Sequence, residues 1–231
     1  MSTLNVLSGG AAQGLVSELQ GRFFAESGRA IAGTYGAVGM MRDKLLSGAP
    51  CDVLILTQAL IDQLTATGQV SAGSASPLGR VKTGIAVKTG EVAPTVDTPD
   101  ALRSALLAAR GIYFPDPAKA TAGIHFMKVL VELGIDEALT PRLRPFPNGA
   151  TAMLEMASSP ESGLIGCTQV TEIIFAPGVE LVARLPQQFE LATVYTAAVC
   201  SQTEQPQAAR MLVELLASPQ AAEIRRSGGF E

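Results

Sequence analysis

The chain has 231 residues, 47% of them hydrophobic and 16% charged, so it can bury a sizeable core and lacks the composition of a disordered chain. Its net charge is −4 and its basic residues are scattered, which excludes the basic patch that a nucleic-acid groove requires. No apolar run approaches the roughly 20 residues of a membrane helix, so neither nucleic acid nor membrane insertion is expected. Met1 to Gly10 has no basic segment and no long apolar segment of the secretory kind. A cytoplasmic location is therefore expected, or a periplasmic one if a leader has been removed. Cys51, Cys167 and Cys200 are odd in number and widely spaced. They suggest neither a disulfide framework nor a zinc site, and each reads as a small buried apolar residue.

Residues 4–8 form a short apolar run ending in Ser8-Gly9-Gly10 and read as a strand. Leu15, Val16, Leu19, Phe23 and Phe24 then fall on one helical stripe that Gly28 stops. Residues 29–34 read as a strand, and Val38, Met41, Leu45 and Leu46 as a helix closed by Gly48 and Pro50. Asp52 to Leu56 is a strand, apolar after its first residue, as parallel strands covered on both faces are. This β-α-β-α-β-α order predicts a parallel sheet with right-handed crossovers. After a turn-rich stretch from Ser71 to Gly79, Val81, Thr83, Ile85 and Val87 alternate as a long strand. Thr98-Pro99 caps a helix, Gly111 to Phe114 is a short strand, and a helix from about 118 to 133 ends at Gly134. A strand–helix pair covers about 141–158, and Gly163 to Cys167 is a buried strand. Phe189 to Cys200 reads as a strand, Ala208 to Leu216 as a helix, and Ser218-Pro219 opens the last helix. The two α/β blocks, with C-terminal helices to spare, suggest one lobe of residues 1–82 plus 190–231 and a second of 83–189. The hinge crossings are expected near 80–84 and 186–194.

Open α/β sheets bind ligands at the carboxyl ends of their strands, where helix starts offer main-chain N–H groups and a partial positive charge. Four junctions here carry small residues: Ser8-Gly9-Gly10-Ala11, Tyr35-Gly36-Ala37, Thr121-Ala122-Gly123 and Asn148-Gly149-Ala150-Thr151. If the lobes face each other, these junctions converge on one cleft. Otherwise the glycines only relax tight turns.

Several segments are similar to the molybdate-binding branch of the periplasmic solute-binding proteins. They are Val6 to Ala11, Leu46 to Val53 (Gly48-Ala49-Pro50 and Asp52 before an apolar strand), Asp116-Pro117 through Ala122-Gly123-Ile124, Gly163 to Gly166, Tyr195 to Val199, and Ser218 to Ala222 with Gly229-Phe230. The resemblance covers nearly the whole chain. It implies the type 2 periplasmic binding protein fold, two α/β lobes that are each a mostly parallel sheet flanked by helices. In that fold a small oxyanion is held by main-chain amides and a few hydroxyls, and an ABC transporter permease is the partner if the chain is exported.

The chain departs from that pattern at the site. Ala11 stands where molybdate binders carry a serine, Val38 or Gly39 where they carry a second, and Gly166 where they carry a tyrosine. Ala122, whose contact would be through its N–H, is preserved. Three lost hydroxyls at about 1.5–3 kcal/mol each argue against molybdate, and smaller residues leave room for a larger organic anion.

The candidate ligand-binding residues are Ser8, Gly9, Gly10, Ala11, Gly36, Ala37, Val38, Gly39, Lys119, Thr121, Ala122, Asn148, Gly149 and Thr168, with Gln13, Thr151 and Gln169 beside them. Thr121, Asn148 and Thr151 equally suit plain helix caps, and Lys119 a solvated surface position. Arg142 and Arg144 alternate along a strand and read as an outward face. His125, the only histidine, falls off the Phe126–Leu130–Leu133 stripe, toward solvent or into a cleft where it would move a proton. That alternative follows because the aconitate-isomerase-like branch resembles this family and shifts a proton and a double bond in a tricarboxylate. Three readings stay open: a binding protein for a carboxylate or other oxyanion, a cytosolic isomerase of an unsaturated polycarboxylate, and a molybdate or tungstate binder with a main-chain site. No cofactor is called for, and no triad, metal cluster or nucleotide loop is present.

Overall fold

A computed structural model describes residues 3–231. The chain divides into two compact units: one contains the chain up to Val81 together with Thr193–Glu231, the other Lys82–Ala192.

In the first unit, β1 (Thr3–Gly9) lies between β2 (Ala30–Gly36) and β3 (Val53–Thr57), parallel to both. β9 (Ala192–Val199) pairs antiparallel with β3, Val53 opposite Val199. The crossovers are α1 (Gln13–Ser27) and α2 (Val38–Leu46), and α3 (Gln58–Ala66) follows β3. α1 buries Leu15, Val16, Leu19 and Phe23 and ends at Gly28, whose φ of 68° suits glycine. Phe24 is 44% exposed and Leu46 56% exposed, so both leave their expected stripes. Each lies roughly 100° or more around its helix from the mean direction of the buried residues. Leu54, Ile55 and Leu56 of β3 are fully buried, so both faces of this strand are covered. The C-terminal helices α9 (Pro206–Ala217) and α10 (Ala222–Ser227) complete this unit, and Ser218 Oγ accepts from Ala221 N at 3.2 Å. Glu231 N–H donates to the Arg80 carbonyl and Arg80 N–H to the Glu231 carbonyl, both at 2.8 Å, while Phe230 is buried in the core.

β4 (Ser76–Lys88) carries the chain into the second unit. It begins within the stretch expected to be only turns. In the second unit β5 (Gly111–Pro115) lies between β6 (Leu143–Phe146) and β7 (Leu164–Gln169), parallel to both, and β4 pairs antiparallel with β7. The helices are α4 (Pro99–Ala108), α5 (Thr121–Glu132), α6 (Asp136–Leu139), α7 (Gly149–Ser158) and α8 (Val170–Phe175). Thr98 Oγ1 caps α4 by accepting from Ala101 N at 3.2 Å. α8 and the antiparallel edge strand β8 (Val179–Arg184) were not expected from sequence. Six residues make too short a period for α8, and β8 is half exposed. The strand expected from Phe189 starts only at Ala192, because Gln187–Phe189 forms a 3-10 turn. One core centres on Phe114, Phe126 and Leu130, and a smaller one on Met153 and Met156.

Arg142 and Arg144 correct the reading of a solvated outward face. Arg142 donates to the carbonyls of Leu107 and Ala109 at 2.7 and 2.9 Å. Arg144 donates to the Tyr113 hydroxyl at 2.7 Å and to both Glu161 oxygens at 2.9 Å, and its guanidinium holds the Glu161 carboxyl below the usual carboxylate range.

Candidate functional site

Within each unit the parallel strands end on one edge of that unit's own sheet, and that unit's candidate residues lie along it. In the first unit, Ser8, Gly9 and Gly10 end β1, Gly36 ends β2 opposite Gly9, and Thr57 and Gln58 follow β3. A 3-10 turn of Gly10–Ala12 leads into α1, with Gly9 as its cap residue and no side-chain cap. Ala37 precedes α2, again without a side-chain cap. The Ser8 hydroxyl is buried and donates to the Gly9 carbonyl at 2.8 Å. A side chain at Gly9 would collide with Val38 Cγ1 at 2.9 Å and Tyr195 Cε1 at 3.0 Å, so this glycine is dictated by packing. Ala11, Ala37 and Val38 are buried, whereas Gly39 is half buried. Thr196 Oγ1 donates to Gln58 Oε1 at 2.5 Å.

In the second unit the edge holds the starts of α5, α7 and α8. Asp116 Oδ1 accepts from the amides of Ala118 and Lys119 at 2.7 and 3.0 Å and turns the chain after β5. Ala120 then starts α5 with no side-chain cap. Thr121 is inside the helix and is not its cap, and Lys119 lies exposed beside it. Gly123 is pressed onto β5: an added Cβ would lie 2.2 Å from the Pro115 carbonyl oxygen.

The α7 start differs. Asn148 caps it, its Oδ1 accepting from Thr151 N at 2.8 Å, so Asn148 and not Thr151 is the cap residue. The chain's own Glu172 carboxyl fills the junction. It accepts from the Thr168 hydroxyl at 2.5 Å and is hydrogen-bonded to the amides of Ala150, Gln169 and Gly149. A Cβ at Gly149 would stand 1.9 Å from Thr168 Oγ1 and 2.0 Å from Glu172 Oε2, so glycine here makes room for this carboxyl. Burial pushes the Glu172 pKa above the usual carboxylate value, outweighing the downward pull of Thr168 and the three amides. Three expected ligand contacts, Asn148, Gly149 and Thr168, are therefore satisfied within the chain.

Beside Glu172 lies a buried polar cluster. Thr83 of β4 sits opposite Gln169 of β7, so both side chains are on one face of the sheet, and Thr171 follows in α8. Thr83, Gln169 and Thr171 are 1%, 2% and 4% exposed. Thr83 Oγ1, both Gln169 amide atoms and Thr171 Oγ1 find no protein partner. The sequence singled out Gln169 alone. The signal for the rest was the polar run Thr168-Gln169 and Thr171-Glu172 closing an apolar strand, with Thr168 and Glu172 four apart.

Gly166 corrects another expectation. Its missing side chain leaves no space, because a Cβ there would meet Met153 Cε at 2.5 Å and Sδ at 2.7 Å. His125 is half buried and its Nε2 lies 2.8 Å from the Phe189 carbonyl oxygen. A carbonyl can only accept, so Nε2–H donates to it, and Nδ1 is left as the other ring nitrogen.

A family model described as bacterial extracellular solute-binding protein matches residues 4–231. The chain belongs to that family. Its fold is the type 2 periplasmic binding protein fold, of the molybdate-binding kind. The periplasmic molybdate-binding protein of Azotobacter vinelandii matches with a TM-score of 0.80 at 21% identity, covering 99% of this chain and 98% of that one. The sulfate-binding protein SubI of Mycobacterium tuberculosis H37Rv matches with a TM-score of 0.76 at 15% identity, covering 100% and 86%. In sequence, this solute-binding protein is 28% identical to an aconitate isomerase of a Pseudomonas species over 239 residues, covering 100% of this chain and 88% of the relative. It is 24% identical to the molybdate-binding protein ModA of Escherichia coli K12, covering 98% and 88%. No helix of the described residues is long and apolar enough to cross a membrane.

Proposed function

We propose that this solute-binding protein takes a small organic carboxylate bearing a hydroxyl or a protonated carboxyl group. The carrying observation is the buried cluster of Thr83, Gln169 and Thr171, with four polar atoms that the protein leaves unpaired. Each such atom costs about 1–3 kcal/mol until a partner arrives. Gln169 needs an acceptor at Nε2 and a donor at Oε1. A fully ionised tetrahedral oxyanion supplies acceptors only and would leave Oε1 facing negative charge. A hydroxycarboxylate or half-protonated polycarboxylate supplies both. The α5 start at Ala120–Ala122, on the same edge, is the accompanying anion site in our reading, with Lys119 and Thr121 beside it. In the first unit, Gly9–Ala11 and Gly36–Gly39 are further main-chain sites for negative charge.

The test is calorimetry and thermal shift against citrate, malate, cis- and trans-aconitate, succinate, sulfate and molybdate. We expect a hydroxy- or tricarboxylate to bind, and Gln169→Leu to weaken it about 10-fold or more, the value of one hydrogen bond to a charged group. Tight molybdate binding that survives Gln169→Leu would overturn the reading.

A second reading, an isomerase of an unsaturated tricarboxylate, is favoured by the full-length similarity to an aconitate isomerase. His125 is the candidate proton carrier, since its Nε2–H is committed to Phe189 and its Nδ1 can accept. Proton NMR of cis-aconitate with the protein tests it: double-bond migration that His125→Ala abolishes supports the assignment, and migration unchanged by that substitution removes it. A cytoplasmic location goes with the enzyme or a sensor, export with delivery to an ABC transporter permease. Fractionating the producing cells distinguishes the two.

A further inference from the structure

Cys51 and Cys200 lie together at the far end of β3 and β9, away from the edge described above. Val53 faces Val199 in the antiparallel register, and Cys200 N–H donates to the Asp52 carbonyl at 3.0 Å. This pairing brings the two sulfurs to 3.1 Å across a sequence separation of 149 residues. The position is braced on both sides. The buried Asp52 carboxylate accepts from Asn5 N at 2.7 Å and from Thr203 Oγ1 at 2.5 Å, and Val70 forms a bridge with Cys200. Both cysteines line a cavity of about 480 Å³ in this unit, with Leu45, Pro50, Gln69 and Gln205 among its walls. Cys167, the third thiol, is fully buried in the other unit.

From this juxtaposition we infer that Cys51 and Cys200 are a disulfide-forming pair. A bonded pair of sulfurs stands about 2.05 Å apart, so closure needs about 1 Å of approach, within reach of side-chain rotation on a fixed backbone. The oxidant is a low-molecular-weight disulfide. One protein thiol, as thiolate, attacks a sulfur of the reagent and expels one reagent thiolate. The second protein thiol, giving up its proton, then attacks the mixed disulfide and expels the other. Two protein thiols become one disulfide, and the reagent gains two electrons and two protons as two thiols. The bond closes a loop that contains the whole of the second unit, because Lys82–Ala192 lies between the two cysteines. Oxidising compartments hold such a pair as the disulfide, and reducing ones as two thiols.

The whole chain is incubated, folded, with oxidised glutathione, then unfolded in acid and its thiols counted. We expect the count to fall from three to one, the mass to drop by two hydrogens, and non-reducing digestion to yield a Cys51–Cys200 crosslinked peptide. A count that stays at three, a stable glutathione adduct, or a crosslink involving Cys167 would overturn the inference. Cys51→Ser with Cys200→Ser should leave one thiol before and after treatment, and any loss of that thiol within one molecule would equally count against it.

Discussion

At the scale of single residues, Glu172 has the largest influence on how the site is read. A carboxyl inserted among the amides of Gly149, Ala150 and Gln169 occupies, at the start of α7, the place an external anion would take at an open helix start. The sequence displayed Asn148-Gly149-Ala150-Thr151 as an anion loop, and the loop has that form. What pattern alone could not reveal is that the group filling it arrives from α8, a carboxyl folded back from much later in the chain. Because burial raises the Glu172 pKa, the folded protein keeps this proton to a higher pH than the unfolded chain, which releases it near the ordinary value of 4.5. The stability that protonated Glu172 contributes is therefore full below about pH 4.5 and is lost as the pH climbs through the folded-state value. Glu172→Gln removes that loss. The melting temperature of wild type minus that of the variant should shrink as pH rises above 4.5. A difference that widens with pH would mean that Glu172 is ionised in the fold.

At the scale of elements, strands and long amphipathic helices were legible and short or half-exposed pieces were not. β1, β3, β5, α1, α5 and α9 carry their own periodicity and stop signals. α8 and β8 do not, since one is shorter than two turns and the other is an edge strand held by its pairing with β4. α5 shows how packing overrides propensity. Replacing an interior helical glycine by alanine ordinarily stabilises by roughly 0.5–1 kcal/mol. At Gly123 the added methyl would sit 2.2 Å from the Pro115 carbonyl and 2.3 Å from that of Asp116. We therefore expect Gly123→Ala to destabilise by about 1–3 kcal/mol in urea unfolding. The conventional gain would show that α5 can lift away from β5.

For the whole molecule, each unit has its own apolar interior, and the legibility of the fold came from that arrangement repeating twice along one chain. The sequence could mark which junctions were glycine-rich. It could not show which of them the chain itself would fill, nor that Thr83, far upstream of Gln169 in the chain, would become its neighbour. Phe126 is fully buried and meets Phe114 edge to face at 5.4 Å. Phe126→Ala should cost about 3–5 kcal/mol. Hydrogen exchange should show the loss of protection in Lys82–Ala192, with the β1–β3 amides changed far less. Equal loss throughout would mean that the two interiors unfold as one.

Phe230 and Glu231 together form a clasp: Glu231 exchanges two hydrogen bonds with Arg80 on the strand that runs on into the second unit, and Phe230 plugs the interior just before it. Emptying the space that the Phe230 ring fills would uncap the hydrophobic interior and slacken the ladder on β4 together. The loss of one aromatic ring would thus be felt as a loosened crossover strand.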